Sequence, residues 1–431
     1  MPEIPGQDGW LNLLRLSAFR ALWAGDALAR VAYQVSLFIL PLLAVTVLRV
    51  SAFQLGMISA SQFVPVLVWS LVAGATAGRV TPRRLLVACN LIRGAAIAAL
   101  SGADVLAHID VALVILTAVA VGSATIFYDV GYQSTVPRVL GDGRLVSGNG
   151  LLQLSYSVAL AAGPAIAGVL LQAAGALWAT ALIGAAFGAA ASCYGFMWLE
   201  DGPGASPYLR HCSVADGLRF TWGCRPIRDL CVQSGLFNLH EQAFLTVFLL
   251  YAVRDIHVTA GRVGLIIGIG SLGAVAGSLA TGKLSSRLHA GTTVTTALLV
   301  SAVALLTGRV VAGLALPEVA FAVAFFCNGF AQSAYNIFAA SLRQTMPSPK
   351  HLGSVTASYR LVAYGTIPLG AMTGGMLTSR FGPGLTLFII AASMTISSTT
   401  LIASPLRRIQ TVEQSRRLVA APAAHGVTPH L

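Results

Sequence analysis

From residue 145 to residue 199 the chain runs 55 residues without an Asp, Glu, Lys, Arg or His, punctuated only by Gly163-Pro164 and Gly175-Ala176. A hydrocarbon core about 30 Å thick is crossed by roughly 20 apolar residues rising about 1.5 Å each, so this run makes two spanning helices in succession. Similar stretches lie near residues 21–48, 53–77, 85–107, 111–134, 149–174, 176–199, 229–253, 260–282, 290–314, 317–341, 354–378 and 383–404. The expected fold class is therefore all-α integral membrane, with twelve transmembrane helices. A composition of 56% hydrophobic and 10% charged residues, with mean hydropathy +0.78, excludes an ordinary soluble domain.

The net charge of +12 reflects topology and gives no reason to expect nucleic acid. With the N-terminus inside, nineteen basic residues fall in the inner segments, Arg15, Arg20, Arg83, Arg84 and Arg138 among them. Only Arg49, Arg254, Arg262, Arg309 and Arg380 fall outside, and Arg30, Arg93 and Arg360 lie within helices. By the positive-inside rule both termini face the cytoplasm of a bacterial inner membrane, with anionic lipid headgroups as partner. Residues 1–20 show no cleavage pattern, so the first helix is expected to serve as its own insertion signal. The six cysteines form no Cys-x-x-Cys pair and, with His211, match no zinc pattern; no metal or other cofactor is expected.

The chain repeats at an offset of about 207 residues. Gly74 to Arg79 recur as Gly282 to Arg287, while Gly163, Gly168, Leu170 and Gly175 recur as Gly370, Gly375, Leu377 and Gly382. This predicts a cytoplasmic segment 1–20, a six-helix bundle 21–199, a polar linker 200–228, a second bundle 229–404 and a tail 405–431. Duplicated six-helix halves are one plan of secondary transporters, with the substrate path between them.

Several segments carry a further resemblance. Phe19-Arg20-Ala21-Leu22-Trp23 opens the first helix, AGATAGRVTPRR occupies 73–84, and FYDV at 127–130 precedes Pro137-Arg138. Asn149, Gly163-Pro164 to Gly168, DGLRFTW at 216–222 and YAVRD at 251–255 extend the match. Together they resemble the major facilitator superfamily, and within it the bacterial branch of macrolide-efflux proteins and the enterobactin exporter. The resemblance covers residues 15–405 and implies export of a small amphiphilic compound; the expectation is a monomeric, proton-coupled exporter. Gly78 stands where that family usually has Asp, and Ala32-Tyr33 where relatives often have Gly-Asp, so coupling chemistry does not carry over there.

Charges within spans cost at least about 2.5–3.5 kcal/mol each on insertion scales and need a partner or a task. Asp26 and Arg30 lie four apart on one helix face and can pair. With Arg93 and Asp129, both expected in the inner half of the membrane, and with Arg79 and Arg83 of the segment between the second and third helices, they form a candidate gate network; plain structural pairing is the alternative. Glu241 sits about twelve residues, or roughly 18 Å, along the seventh helix with no basic residue within a turn. A carboxyl taken out of water there could bind and release a proton near neutral pH, making Glu241 the first candidate for proton coupling and Asp26 the second. The alternative for Glu241 is a neutral side chain bonded to Asn238 or Gln242.

Candidate substrate-binding residues are Tyr33, Gln34 and Phe38 on the first helix and Asn238 and Phe244 on the seventh. On the tenth, Asn328, Gln332, Tyr335 and Asn336 form a polar stripe at helical spacing. Gly163, Pro164 and Gly168 are expected to kink the fifth helix and admit a close neighbour. Gly268 to Gly273 fits a dinucleotide fingerprint and Gly277 to Lys283 a P-loop, but the first lies in an uncharged span and the second is followed by Leu284; neither implies a nucleotide. No paired carboxylates or activated nucleophile suggest an enzyme. The readings that remain beside an exporter are an uptake carrier or uncoupled facilitator, and a non-transporting scaffold or receptor.

Overall fold

The structure is a computed structural model that describes residues 13–69, 80–105, 109–141, 144–197, 214–284, 289–314, 316–347 and 352–410. The first helices are α1 (Ser17–Thr46), α2 (Ala52–Trp69, with a turn at Gln62-Phe63), α3 (Pro82–Val105) and α4 (Val111–Leu140). The continuous helical segment Leu145–Gly195 breaks at Gly175 into α5 (145–174) and α6 (176–195). The chain continues with α7 (Arg225–Leu250), which ends in a π-turn at Tyr251–Asp255, then α8 (Ala260–Leu284) and α9 (Ala290–Ala312). It closes with α10 (Pro317–Thr345), α11 (Leu352–Phe381) and α12 (Pro383–Thr399).

Among the described residues nine stretches are long and apolar enough to cross a membrane by length and composition. One of them, Gly148–Gly195, holds both α5 and α6. Helices α10 and α11 have spanning lengths of 29 and 30 residues but carry amide, hydroxyl and arginine side chains that lower their hydropathy. The fold is thus an all-helical membrane architecture of twelve long helices. Several run further than their apolar stretches: α3 begins at Pro82, α4 continues through Pro137 to Leu140, and α7 begins at Arg225. Arg93 and Asp129 consequently lie eleven residues from the nearer inner ends of α3 and α4. That is about three turns, part of which lies in the polar continuation of each helix beyond its apolar stretch.

The turns start where local chemistry stops or starts a helix. Ser51 and Gln54 form a reciprocal capping box, Asp110 accepts from the Leu113 amide at 2.8 Å, and Pro317 and Pro383 occupy first-turn positions that need no amide proton. The repeat is visible in the backbone. Gly175 and Gly382, 207 residues apart, adopt nearly the same conformation (φ 73°, ψ 177° and φ 76°, ψ 163°) at the α5/α6 and α11/α12 turns. This region is closed to side chains by the backbone alone, since a Cβ at either position would meet nothing within 4 Å. Gly175→Ala and Gly382→Ala are each expected to cost about 1–3 kcal/mol, read as a lower midpoint in thermal unfolding of the purified protein.

The helices form two compact units. One holds α1–α6 with Leu249–Gly268, and the other holds the rest of α7 and α8, the short helix Val214–Gly223 and α9–α12. Residues 249–268 join the first unit through specific contacts. Arg254 donates to the Val50 carbonyl, the Gly261 amide donates to Gln172 at 2.8 Å, and α5 and α8 touch at Gly168 and Gly264.

Candidate functional site

In the second unit α7 presents three faces to three helices. Toward α10, Glu241, Phe244 and Phe248 recur at three- and four-residue spacing, as do Phe321, Phe325, Asn328 and Gln332 on the partner, so the two antiparallel helices zip together. Phe248 packs against Phe321 and Phe325, each with ring centroids 4.9 Å apart, and Phe244 against Phe325 at 6.1 Å. One turn beyond this apolar wall comes the carboxyl. Gln332 Nε2 donates to Glu241 Oε2 at 2.5 Å and Asn328 Nδ2 to Glu241 Oε1 at 3.3 Å. Ser301 of α9 donates to the Asn328 carbonyl oxygen and fixes which way that amide points. Among the described residues Glu241 has no Lys, Arg or His partner. It stands at the middle of the 31-residue span Arg225–Asp255.

The local partners expected for Glu241 are engaged elsewhere. Asn238 donates to the Ala363 carbonyl of α11 at 2.7 Å, and Gln242 lies 3.5 Å from Thr246 on its own helix. His240 points to α12, with Nδ1 2.6 Å from the Leu236 carbonyl and Nε2 2.9 Å from Ser393 Oγ. Of the polar stripe on α10, Asn328 and Gln332 reach Glu241. Tyr335 is buried against Phe237 and bonds Ser234, which also accepts from Tyr359 at 2.9 Å. Asn336, one turn beyond Gln332, is exposed.

In the first unit the charges gather around Asp26, which is fully buried. Arg30 Nε lies 2.8 Å from both carboxylate oxygens, and the Tyr128 hydroxyl donates to Oδ1 at 2.9 Å. Tyr128 and Tyr194 share a hydrogen bond of 2.7 Å. The Arg30 guanidinium sits 4.9 Å from the ring centres of both Tyr132 and Tyr156. Arg93, only 1% exposed, lies over the Tyr128 ring at 4.3 Å, and its Nε has no hydrogen-bond partner among the described residues. Aromatic faces and the Asp26 carboxylate thus share the cost of one buried and one partly buried cation. The repeat recurs here too: Tyr128 on α4 bonds α1, and Tyr335, 207 residues later on α10, bonds α7.

Asp129, half-buried, follows Tyr128 and so points about 100° away round α4. Arg83 is not brought to the cluster, since it donates to the Gly195 carbonyl at the end of α6; Arg79 lies outside the described residues. Sequence reasoning missed Tyr128 as a partner of Asp26 and Tyr194 as the partner of Tyr128, although Tyr128 lies within the FYDV segment and has a repeat mate. Tyr128→Phe leaves the Tyr194 hydroxyl and one Asp26 oxygen short of a partner in a dry site. It is expected to cost about 1–3 kcal/mol, and thermal unfolding with an unchanged midpoint would contradict the bridge.

Tyr33 and Phe38 are half-buried, while Gln34 is buried where α5 crosses α1. A Cβ on Gly163 would come within 2.7 Å of Gln34 Cβ. Pro164 lies inside α5 beside the contact with α8, where a Cβ on Gly168 would stand 2.4 Å from the Ala260 carbonyl oxygen and one on Gly264 2.4 Å from that of Pro164.

Residues 9–428 match a family model described as transmembrane secretion effector. Over 376 residues the chain is 26% identical to a protein of Mycobacterium tuberculosis named multidrug efflux pump Tap, covering 83% of this chain and 86% of that one. A protein of the same name from Mycolicibacterium fortuitum is 25% identical over 375 residues, covering 83% and 88%. Among solved structures, the nucleoside transporter NupG superposes with a TM-score of 0.71 at 11% identity, covering 90% of this chain and 98% of that one. A bacterial homolog of the human lysosomal transporter Spinster, inward-facing and unoccupied, superposes with a TM-score of 0.67 at 14% identity, covering 94% and 95%. At these identities the structural likeness speaks for the fold.

Proposed function

This chain belongs to the transmembrane secretion effector family of major facilitator transporters and is not an enzyme; on that premise we propose that it exports a small amphiphilic compound, a drug or other natural product, in exchange for protons. The observation that carries the reading is Glu241. Transporters of this plan place substrate and coupling ions near the middle of the membrane, and Glu241 is a mid-span carboxyl held by two neutral amides and no cation. Binding or losing a proton changes the charge of this site by one, and among the described residues no arginine or lysine pairs with Glu241 to offset the change. Asp26 is the weaker candidate, because its charge is already matched by Arg30.

Export as the direction is supported by the efflux pumps to which the chain is similar. The charge distribution supports termini in the cytoplasm, so that protons would enter from outside and substrate would leave by alternating access. Tyr33, Gln34, Phe38, Asn336 and the amides beside Glu241 are the side chains proposed to meet the compound, and the Asp26–Arg30–Tyr128 cluster with Arg93 and Asp129 is proposed as a gate. A second reading, an uncoupled facilitator, draws on the same geometry, since each Glu241 oxygen already has a hydrogen-bond donor.

Uptake of labelled macrolides and lipophilic cations into inverted membrane vesicles separates the two. Accumulation only under an imposed pH gradient, acid inside, supports proton antiport in the export direction. Equilibration at the same rate without a gradient supports the facilitator.

A further inference from the structure

Two segments distant in sequence bring arginines together at one end of the second unit. Arg225 and Arg228 open α7, and Arg407 and Arg408 close a 3-10 turn, Pro405–Arg408, that follows α12. Between them lie two adjoining recesses of about 390 and 540 Å³ that share Arg225, Ala403 and Ser404. The first is also lined by Arg228, Asp229, Gln233 and Thr400, the second by Arg407 and Arg408. Among the described residues the only carboxylate in their lining is already committed. Asp229 accepts from Ser404 Oγ at 2.5 Å and lies 3.9 Å from Arg228 Nε. Arg225, Arg407 and Arg408 are exposed, and among the described residues none pairs with an acid.

The arginines stand on a fixed support. Gln410 and Ile409 carbonyls accept from the Ala290 and Gly291 amides at 3.1 and 2.9 Å, which ties the turn to the start of α9, and Ser404 Oγ accepts from the Leu406 amide at 3.3 Å. Within the same linings Val232 and Ile402 are 38% and 45% exposed. Side chains of both characters, at the point where two spanning helices leave the apolar layer, match a molecule with an anionic head and hydrocarbon tails.

We propose that this recess binds the phosphate of an anionic phospholipid headgroup, with Arg225, Arg407 and Arg408 as donors and the acyl chains against Val232 and Ile402. Guanidinium groups offer paired N–H donors that fit phosphate oxygens, and three of them without a counter-charge hold a monoanionic phosphodiester more strongly than a zwitterionic headgroup. A soluble phosphate would meet the same arginines but leave the apolar border uncovered.

The test uses the purified full chain in mild detergent at low salt, with binding of short-chain phosphatidylglycerol and phosphatidylcholine read by native mass spectrometry. Arg225→Ala, Arg407→Ala and Arg408→Ala are made singly and together, and Arg380→Ala at the other end of the helices serves as control. The wild type is expected to prefer phosphatidylglycerol, each single variant to weaken it roughly fivefold, and the triple variant to lose the preference. The single variants keep the proposal testable if the triple variant does not fold. Equal binding of the two lipids, or an unchanged preference in folded variants, would overturn it. Displacement by glycerol 3-phosphate at equal concentration would also overturn it, by assigning the recess to a soluble phosphate.

Discussion

Glu241→Gln is expected to abolish accumulation of substrate against its gradient while leaving the protein folded. A one-unit pH gradient stores about 1.4 kcal/mol, enough to concentrate a compound about tenfold at one proton per molecule. The wild type is expected to approach that ratio and the variant to stop at one, because an amide at this position cannot carry a proton between the two sides. Folding is expected to survive, since Gln fills the same space and can meet Asn328 and Gln332 once one amide turns over, at a cost of about 1 kcal/mol. Accumulation in the variant equal to that of the wild type, at matched protein levels, would remove Glu241 from the coupling step.

Gly168→Leu and Gly264→Leu are expected to have the largest effect on the fold itself. Helices α5 and α8 meet backbone to backbone here. A Cβ on Gly264 would stand 3.1 Å from the Gly168 Cα as well as 2.4 Å from the Pro164 carbonyl oxygen, so the atoms in the way cannot move as a side chain could. Overpacking of this kind costs about 1–3 kcal/mol and sometimes more, and a leucine adds three further carbons to the same gap. Both variants are expected to unfold at lower temperature and to lose transport. Gly268→Ala, whose Cβ would come no closer than 3.3 Å to any neighbour, the nearest being Ala165 Cβ, is expected to be milder. Wild-type thermal stability and transport in Gly264→Leu would show that α5 and α8 do not need this approach.

The helices were legible because a charge-free run has few alternatives in a chain of this composition. Their ends were less so. Once a helix has left the hydrocarbon its backbone bonds can continue through polar residues, as at Pro82-Arg83-Arg84 and at Arg225 to Arg228, and hydropathy falls silent there. The pairing of Asp26 with Arg30 followed from four-residue spacing on one helix. That of Glu241 did not, because its partners come from α10. The polar spacing of Asn328 and Gln332 marked a face worth burying, but only packing decides which helix that face meets, and the nearer candidates Asn238 and Gln242 bond elsewhere. Tyr194 carried no signal at all: it is an aromatic residue in an uncharged run, and its role depends on lying opposite Gly25, where a Cβ would come 2.9 Å from its ring.

The central claim, that protons and substrate are exchanged through Glu241, is tested most directly by proton flux. Inverted vesicles loaded with a pH-sensitive dye are energised, and macrolides, other lipophilic drugs and siderophores are added in turn to wild type and Glu241→Gln. Dissipation of the gradient by at least one compound in the wild type, and by none in the variant, is the predicted result. A compound that dissipates the gradient equally in both would contradict the claim.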